Sequence, residues 1–152
     1  MDELWSEVSA AEDGLSGQWW AAWQSYRVGT EVTAVQPVRI SQRRDLIRWE
    51  ATERGRPVKD GGYLWAGSLR LVDGEVLMGH YSSIDPPVRS KGTVFLVLHP
   101  QGRVMAGRWI GLSHDGYFVE GWGALAREEP EVWGTITDLI HNREQPWMRS
   151  FA

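Results

Sequence analysis

At 152 residues, 42% hydrophobic and 24% charged, the chain has the size and composition of a single globular domain able to bury its own core. It contains no cysteine, which excludes thiolate catalysis, a cysteine-ligated metal and disulfide stapling. A formal net charge of −4 argues against a dedicated duplex nucleic-acid surface, because such affinity comes from clustered cations that displace counterions. All but two of the sixteen cations are arginine, the side chain suited to bidentate binding of phosphate or carboxylate. The first apolar stretch is short and is interrupted by Glu3, Glu7, Glu12 and Asp13, unlike a signal peptide, and no run approaches the length of a membrane span. The expectation is a soluble, cytoplasmic protein with no membrane span.

In chain order, residues 2–12 carry Leu4, Trp5, Val8 and Ala11 at helical spacing, and Gly14 ends the pattern. This predicts a short N-terminal helix covering one end of the fold. Residues 17–28 place Trp19 and Trp23 on one face and Trp20 and Tyr26 on the other, as in a strand buried on both sides. Further strands are expected at 32–41, 46–53, 63–71, 75–83, 92–99, 103–113 and 117–127. Asp73-Gly74, Gln101-Gly102 and Asp115-Gly116 supply the hairpin turns. Eight sequential antiparallel strands with short turns close most economically into an up-and-down barrel, spanning 17–127, which leaves no exposed edge. The ten tryptophans, mostly on alternating segments, make that barrel aromatic-lined. After Arg127, Glu128, Glu129 and Glu131 surround Pro130, and Val132, Ile136, Leu139 and Ile140 recur at helical spacing. A C-terminal helix over 130–142 should lie against the barrel wall, followed by an irregular tail.

A short helix, then Gly17-x-Trp19 on the first of eight strands, then Arg127 closing the last strand before a helix, resembles the calycin superfamily of lipocalin-like barrels. The resemblance implies that Trp19 packs at the closed end of the barrel and that Arg127 lies across it. In size and strand order the chain is also similar to the minimal calycin-like barrels with which some bacterial antiphage effectors sense cyclic nucleotides.

Two-residue turns set the expected registers. Around Asp73-Gly74, Val72 faces Glu75 and Gly67 faces His80, which puts His80 on the Trp65 side with empty space opposite. Two roles follow for His80: a core histidine satisfied by one hydrogen bond, or a neutral hydrogen-bonding group on a pocket floor. Around Gln101-Gly102, Phe95 faces Arg108 and Thr93 faces Ile110. Around Asp115-Gly116, Gly123 faces Arg108, Gly121 faces Ile110, Glu120 faces Gly111 and Trp109 faces Trp122. Arg108 between Phe95 and Gly123 is then either an inward grip for an anionic ligand or an outward arginine lying over apolar surface. Both faces of these strands are apolar, so the pattern leaves open which is inside, and the outer one needs covering by the helices or by another subunit.

The four histidines show no metal-ligand spacing, and there is no nucleophile elbow, phosphate-binding glycine loop or paired-carboxylate motif. No catalytic set, metal or cofactor is therefore expected. The expected function is a non-catalytic barrel that binds a small molecule, anionic or nucleotide-like, as a sensor or carrier. Trp65 and Phe95 would be its walls, His80 and Arg108 its polar anchors, and Arg89 and Lys91 the charges on a rim formed by residues 84–91. The alternatives are a barrel enzyme of the isomerase, cyclase or hydratase type using His80 as acid or base, and an interaction module whose aromatic face meets a partner protein or forms a homodimer.

Overall fold

The computed structural model of the protein describes residues 14–27 and 29–141, so the helix expected over 2–12 and the tail lie outside the described residues. Eight strands form one closed antiparallel barrel in sequential order: β1 (Gly17–Arg27), β2 (Thr30–Arg43), β3 (Leu46–Ala51), β4 (Trp65–Val72), β5 (Val76–Ser83), β6 (Lys91–Leu98), β7 (Val104–Leu112) and β8 (Phe118–Ala126). Closure is made by β8 against β1, where Trp20 to Trp23 pair with Ala126 to Gly123. Every strand is thereby hydrogen-bonded on both sides, and no edge remains to template aggregation.

Strict alternation decides what is inside. In β3, Ile47, Trp49 and Ala51 are buried while Leu46, Arg48 and Glu50 are exposed. The same period carries Trp19, Trp49, Trp65, Leu77, Leu96, Met105, Trp109 and Leu125 into one continuous core. Within it, large rings face residues that lack a side chain. Trp49 pairs with Gly67, Tyr81 with Gly67 and Gly92, Trp109 with Gly121, and Trp23 with Gly123. A Cβ on Gly123 would come within 2.6 Å of the Trp23 ring. A Cβ on Gly107 would come 1.9 Å from the carbonyl oxygen of Phe95, so there the glycine permits close approach of the neighbouring backbone.

The outer face of β1, β7 and β8 is lined with alanine: Ala22, Ala106, Ala124 and Ala126. These small side chains let α1 (Glu129–His141) lie close to the wall and bury Val132, Ile136 and Leu139, three residues on one helical stripe. Each such burial stabilises by about 1.5–3 kcal/mol. At the same barrel end, the Arg127 guanidinium lies over the Trp19 ring, 4.3 Å from its centroid. It donates to the carbonyl oxygens of Gly14, Ser16 and Gln18, tying the chain entering β1 to the end of β8.

Two of the three expected registers are corrected. At β4–β5 the turn has the expected Asp73-Gly74 centre, with φ of 54° and 68° and the Glu75 amide donating to Val72. Glu75 is then an extra, bulged residue: its carbonyl accepts from Leu98 of β6, and Val72 pairs with Val76. The one-residue slip places Tyr81, not His80, opposite Gly67, and His80 points outward opposite Ser68. At β7–β8 the connection is three residues, His114 to Gly116, with Gly116 at φ 87° and Ser113 bonded to Tyr117. Consequently Arg108 pairs with Trp122, Trp109 with Gly121 and Ile110 with Glu120, so Trp109 is inside and Trp122 outside. The β6–β7 register has Phe95 opposite Arg108 and Thr93 opposite Ile110, on the outer face.

Two glycines should respond in opposite directions to alanine. Gly107→Ala should lower stability by about 1–3 kcal/mol through overpacking against β6, whereas Gly134→Ala, with open space beside it on α1, should raise it by about 0.5–1 kcal/mol. Urea unfolding midpoints measure both, and equal tolerance at the two positions would contradict the close approach at Gly107.

Candidate functional site

The barrel end opposite Arg127 is not filled. A cavity of about 110 Å³ opens there, walled by Trp23, Trp65, Tyr81 and Trp109 from four strands and by Tyr63 from the loop over residues 52–64. Trp23 and Trp65 meet at 76° with centroids 5.9 Å apart, and Trp65 meets Tyr81 at 67° and 6.2 Å. Adjacent walls therefore stand nearly perpendicular, an edge-to-face arrangement suited to the ring quadrupoles. Trp49 backs Trp65 from below at 4.6 Å.

Buried indole N–H groups need partners, and each finds one in the protein. Trp23 and Trp65 both donate to Oε1 of the buried Gln36, at 3.1 and 2.7 Å. Gln36 Nε2 donates in turn to the carbonyl of Glu53, at 2.9 Å. Trp109 donates to the carbonyl of Gln24 and Trp49 to that of His80, each at 3.0 Å. The cavity walls thus offer a ligand ring surface rather than indole donors. Burial raises the pKa of Tyr81, with Tyr63 adding to the effect, and burial likewise raises that of Tyr63 against an opposing hydrogen bond with Ser90. Both phenols are neutral at physiological pH.

Among the described residues that line the cavity the cation is Arg54, and its charge is answered. Its Nε and Nη2 donate to the Asp85 carboxylate at 3.0 and 2.7 Å, and the same carboxylate accepts from the Leu64 amide at 2.7 Å. Asp85 thereby joins the loop over 52–64 to the loop over 84–90, with Ile84 bonded to Leu64 beside it. These hydrogen bonds, from Arg54 first and Leu64 second, hold the Asp85 carboxyl at about 2, well below its ordinary value.

The residues expected to form one site fall in three places. Trp65 lines the cavity. His80, Phe95 and Arg108 stand together on the outer wall beside a shallow groove, where Arg108 lies 4.6 Å over Trp122 and is paired with Glu120 at 3.2 Å. The expectation of His80, Phe95 and Arg108 inside the barrel is corrected: the slip at β4–β5 turns His80 outward, and Phe95 and Arg108, paired with each other as expected, lie on the outer face because alternation along β7 buries Met105 and Trp109 instead. Arg89 and Lys91 are at the open rim, Arg89 donating to the His114 carbonyl and so bridging two mouth loops, Lys91 exposed at the start of β6. Trp23, Gln36, Tyr63, Tyr81, Trp109 and Arg54 were not anticipated as a group. Trp23 and Trp109 carried a signal, the facing glycines, which becomes readable once the registers are known.

The fold and cavity define a class of protein, a closed up-and-down barrel with an aromatic chamber at one end. No protein-family model and no curated protein matches the sequence. Among the described residues no helix is long and apolar enough to cross a membrane.

The latch at the mouth has a pH signature. Since the Asp85 carboxyl titrates near 2 when folded against an ordinary 3.8, its pair contributes stability that is present above that ordinary value and is lost as pH falls toward about 2. Asp85→Asn should therefore flatten the acid-unfolding curve across this window and speed hydrogen exchange at the Leu64 amide at neutral pH. Unchanged exchange at Leu64 would show that the carboxylate does not hold the loop.

Proposed function

We propose that this chain is a non-catalytic binding barrel, calycin-like in architecture, that takes a compact ligand, or the compact head of a larger one, into the aromatic cavity at its open end as a carrier or sensor. The observation that carries this reading is a cavity walled by five rings, with every lining indole N–H committed to an internal acceptor. The volume sets the scale. By comparison, an apolar cavity of ~150 Å³ takes benzene. A ligand group of a few non-hydrogen atoms fits, while a base, sugar and phosphate together do not. Neutral tyrosines and an arginine already engaged by Asp85 supply no proton acceptor at neutral pH, which favours binding over acid–base chemistry. His80, the candidate acid or base, is exposed on the outer wall and does not line the cavity.

The cavity can be blocked without touching its hydrogen bonds. Ala34 lines it from β2, so Ala34→Leu should fill it. Saturation-transfer NMR with phenol, 3,3-dimethyl-1-butanol and adenosine monophosphate should show the compact probes binding to the wild type, losing at least ten-fold in affinity in the variant, with the nucleotide binding neither. Failure of every compact probe, or binding indifferent to Ala34→Leu, would remove the cavity from the function.

A second reading rests on the outer wall of β5 to β8. Met78, Phe95, Ile110, Leu112 and Phe118 are 41%, 49%, 37%, 42% and 76% exposed there, an apolar face that α1 does not reach. A partner protein or a second copy covering this face would make Phe95 and Phe118 its anchors. Sedimentation equilibrium should then show concentration-dependent association abolished by Phe95→Ser with Phe118→Ser. A monomer at all concentrations leaves only the heterologous partner.

A further inference from the structure

We infer that the cavity is a cage for a quaternary trimethylammonium group, an inference that rests on the reading of this cavity as the ligand site. Three features of the site select that chemistry. The walls are π systems set nearly at right angles, Trp23 to Trp65 at 76° and Trp65 to Tyr81 at 67°, with Trp109 and Tyr63 completing the enclosure. Walls at these angles can set aromatic rings on several sides of a compact cation, the kind of enclosure by which aromatic side chains bind quaternary ammonium.

Hydrogen-bonding chemistry points the same way. A primary ammonium or an anion entering the cavity gives up water and needs acceptors or donors in return. For an anion the donors are missing: the indole N–H groups are spent on Gln36 and Gln24, and the Nε and Nη2 groups of Arg54 on Asp85. A trimethylammonium group has no N–H to satisfy, so it loses less on entry than a primary amine of equal charge. Its four non-hydrogen atoms are also fewer than those of benzene, in keeping with a cavity of about 110 Å³.

The charge of the lining arginine does not oppose it. Asp85 is ionised throughout the physiological range and neutralises Arg54 through a bidentate pair, so among the cavity-lining residues the cation meets no unopposed positive charge. An anionic ligand would have to compete with Asp85 for that same guanidinium.

The decisive comparison holds shape constant and changes charge. Choline and its uncharged carbon analogue 3,3-dimethyl-1-butanol are titrated against the intact protein by isothermal calorimetry, with phenol as a general probe of the cavity and circular dichroism to confirm that each variant is folded. Choline should bind about ten-fold more tightly than the analogue. Tyr63→Phe, which keeps the ring, should retain this preference, whereas Tyr63→Leu, on the loop rather than in the barrel wall, should lose most of it. A trimethyllysine peptide run beside free choline separates two sources of the same head group, and preference of either over its uncharged counterpart supports the cage. If choline and 3,3-dimethyl-1-butanol bind equally, or only the analogue and phenol bind, the cation assignment is overturned while the cavity remains a ligand site. If none of the probes binds, the reading of the cavity as a ligand site falls as well.

Discussion

The interior of an eight-stranded barrel is just wide enough to be filled by side chains, so most of its bulky rings sit where the facing strand gives way, Trp19 and Trp65 facing Val38 and Ser83 instead. Here Trp23, Trp49, Trp109 and Tyr81 each face glycine on an adjacent strand. The pairing fixes which strand face turns inward, because a slip of one residue would set ring against ring or send the indoles to solvent. At Gly107, which faces Leu96 and Gly123, the missing side chain instead lets neighbouring backbones approach closely. Packing of this kind works at the level of single methyl groups, since protein interiors are as dense as organic crystals.

The two ends of the barrel solve the filling problem differently. At one end Trp19 is capped by the Arg127 guanidinium, whose donors are used by three carbonyls of the chain entering β1, and that end is shut. At the other, the rings form a perimeter and leave their centre empty, while the loop over 52–64 folds across and is fastened to Asp85. Gln36 is central to this arrangement: one side-chain oxygen accepts from two indoles and fixes two walls of the cavity relative to each other. The cavity is thus shaped by the protein alone, which on the proposed reading reduces the ordering cost of binding.

Strand number, order and closure could be read from the sequence because alternation and turn residues are local signals, and the helix over 129–141 because its apolar period is local too. Register could not. The bulge at Glu75 depends on a hydrogen bond from Leu98, more than twenty residues away, and the Asp115-Gly116 turn takes in one residue more than its dipeptide suggests. Each error is one residue, and each turns a whole strand over. The slip at β4–β5 set His80 where Tyr81 belongs, while the inward choice for Arg108 came from two equally apolar strand faces, of which the one with Trp109 occupies the interior. Trp65 was identified as a wall from its own strand pattern, but its partner Gln36 lies 29 residues away on a non-adjacent strand. Arg54 and Asp85 are 31 residues apart in two loops, and no local pattern announces that pair. Trp19 and Arg127 were connected only through the family resemblance, and their contact is a tertiary one.

The claim that ring and glycine are matched in volume is most directly tested by a double-mutant cycle on Trp23 and Gly123, whose added Cβ would meet the Trp23 ring before anything else. Unfolding free energies are measured for the wild type, Gly123→Ala, Trp23→Leu and the double variant. The account predicts that Gly123→Ala is destabilising in the wild type but nearly neutral once the indole is removed, with a coupling of about 1–3 kcal/mol. Additive penalties, with the alanine costing as much beside leucine as beside tryptophan, would contradict it.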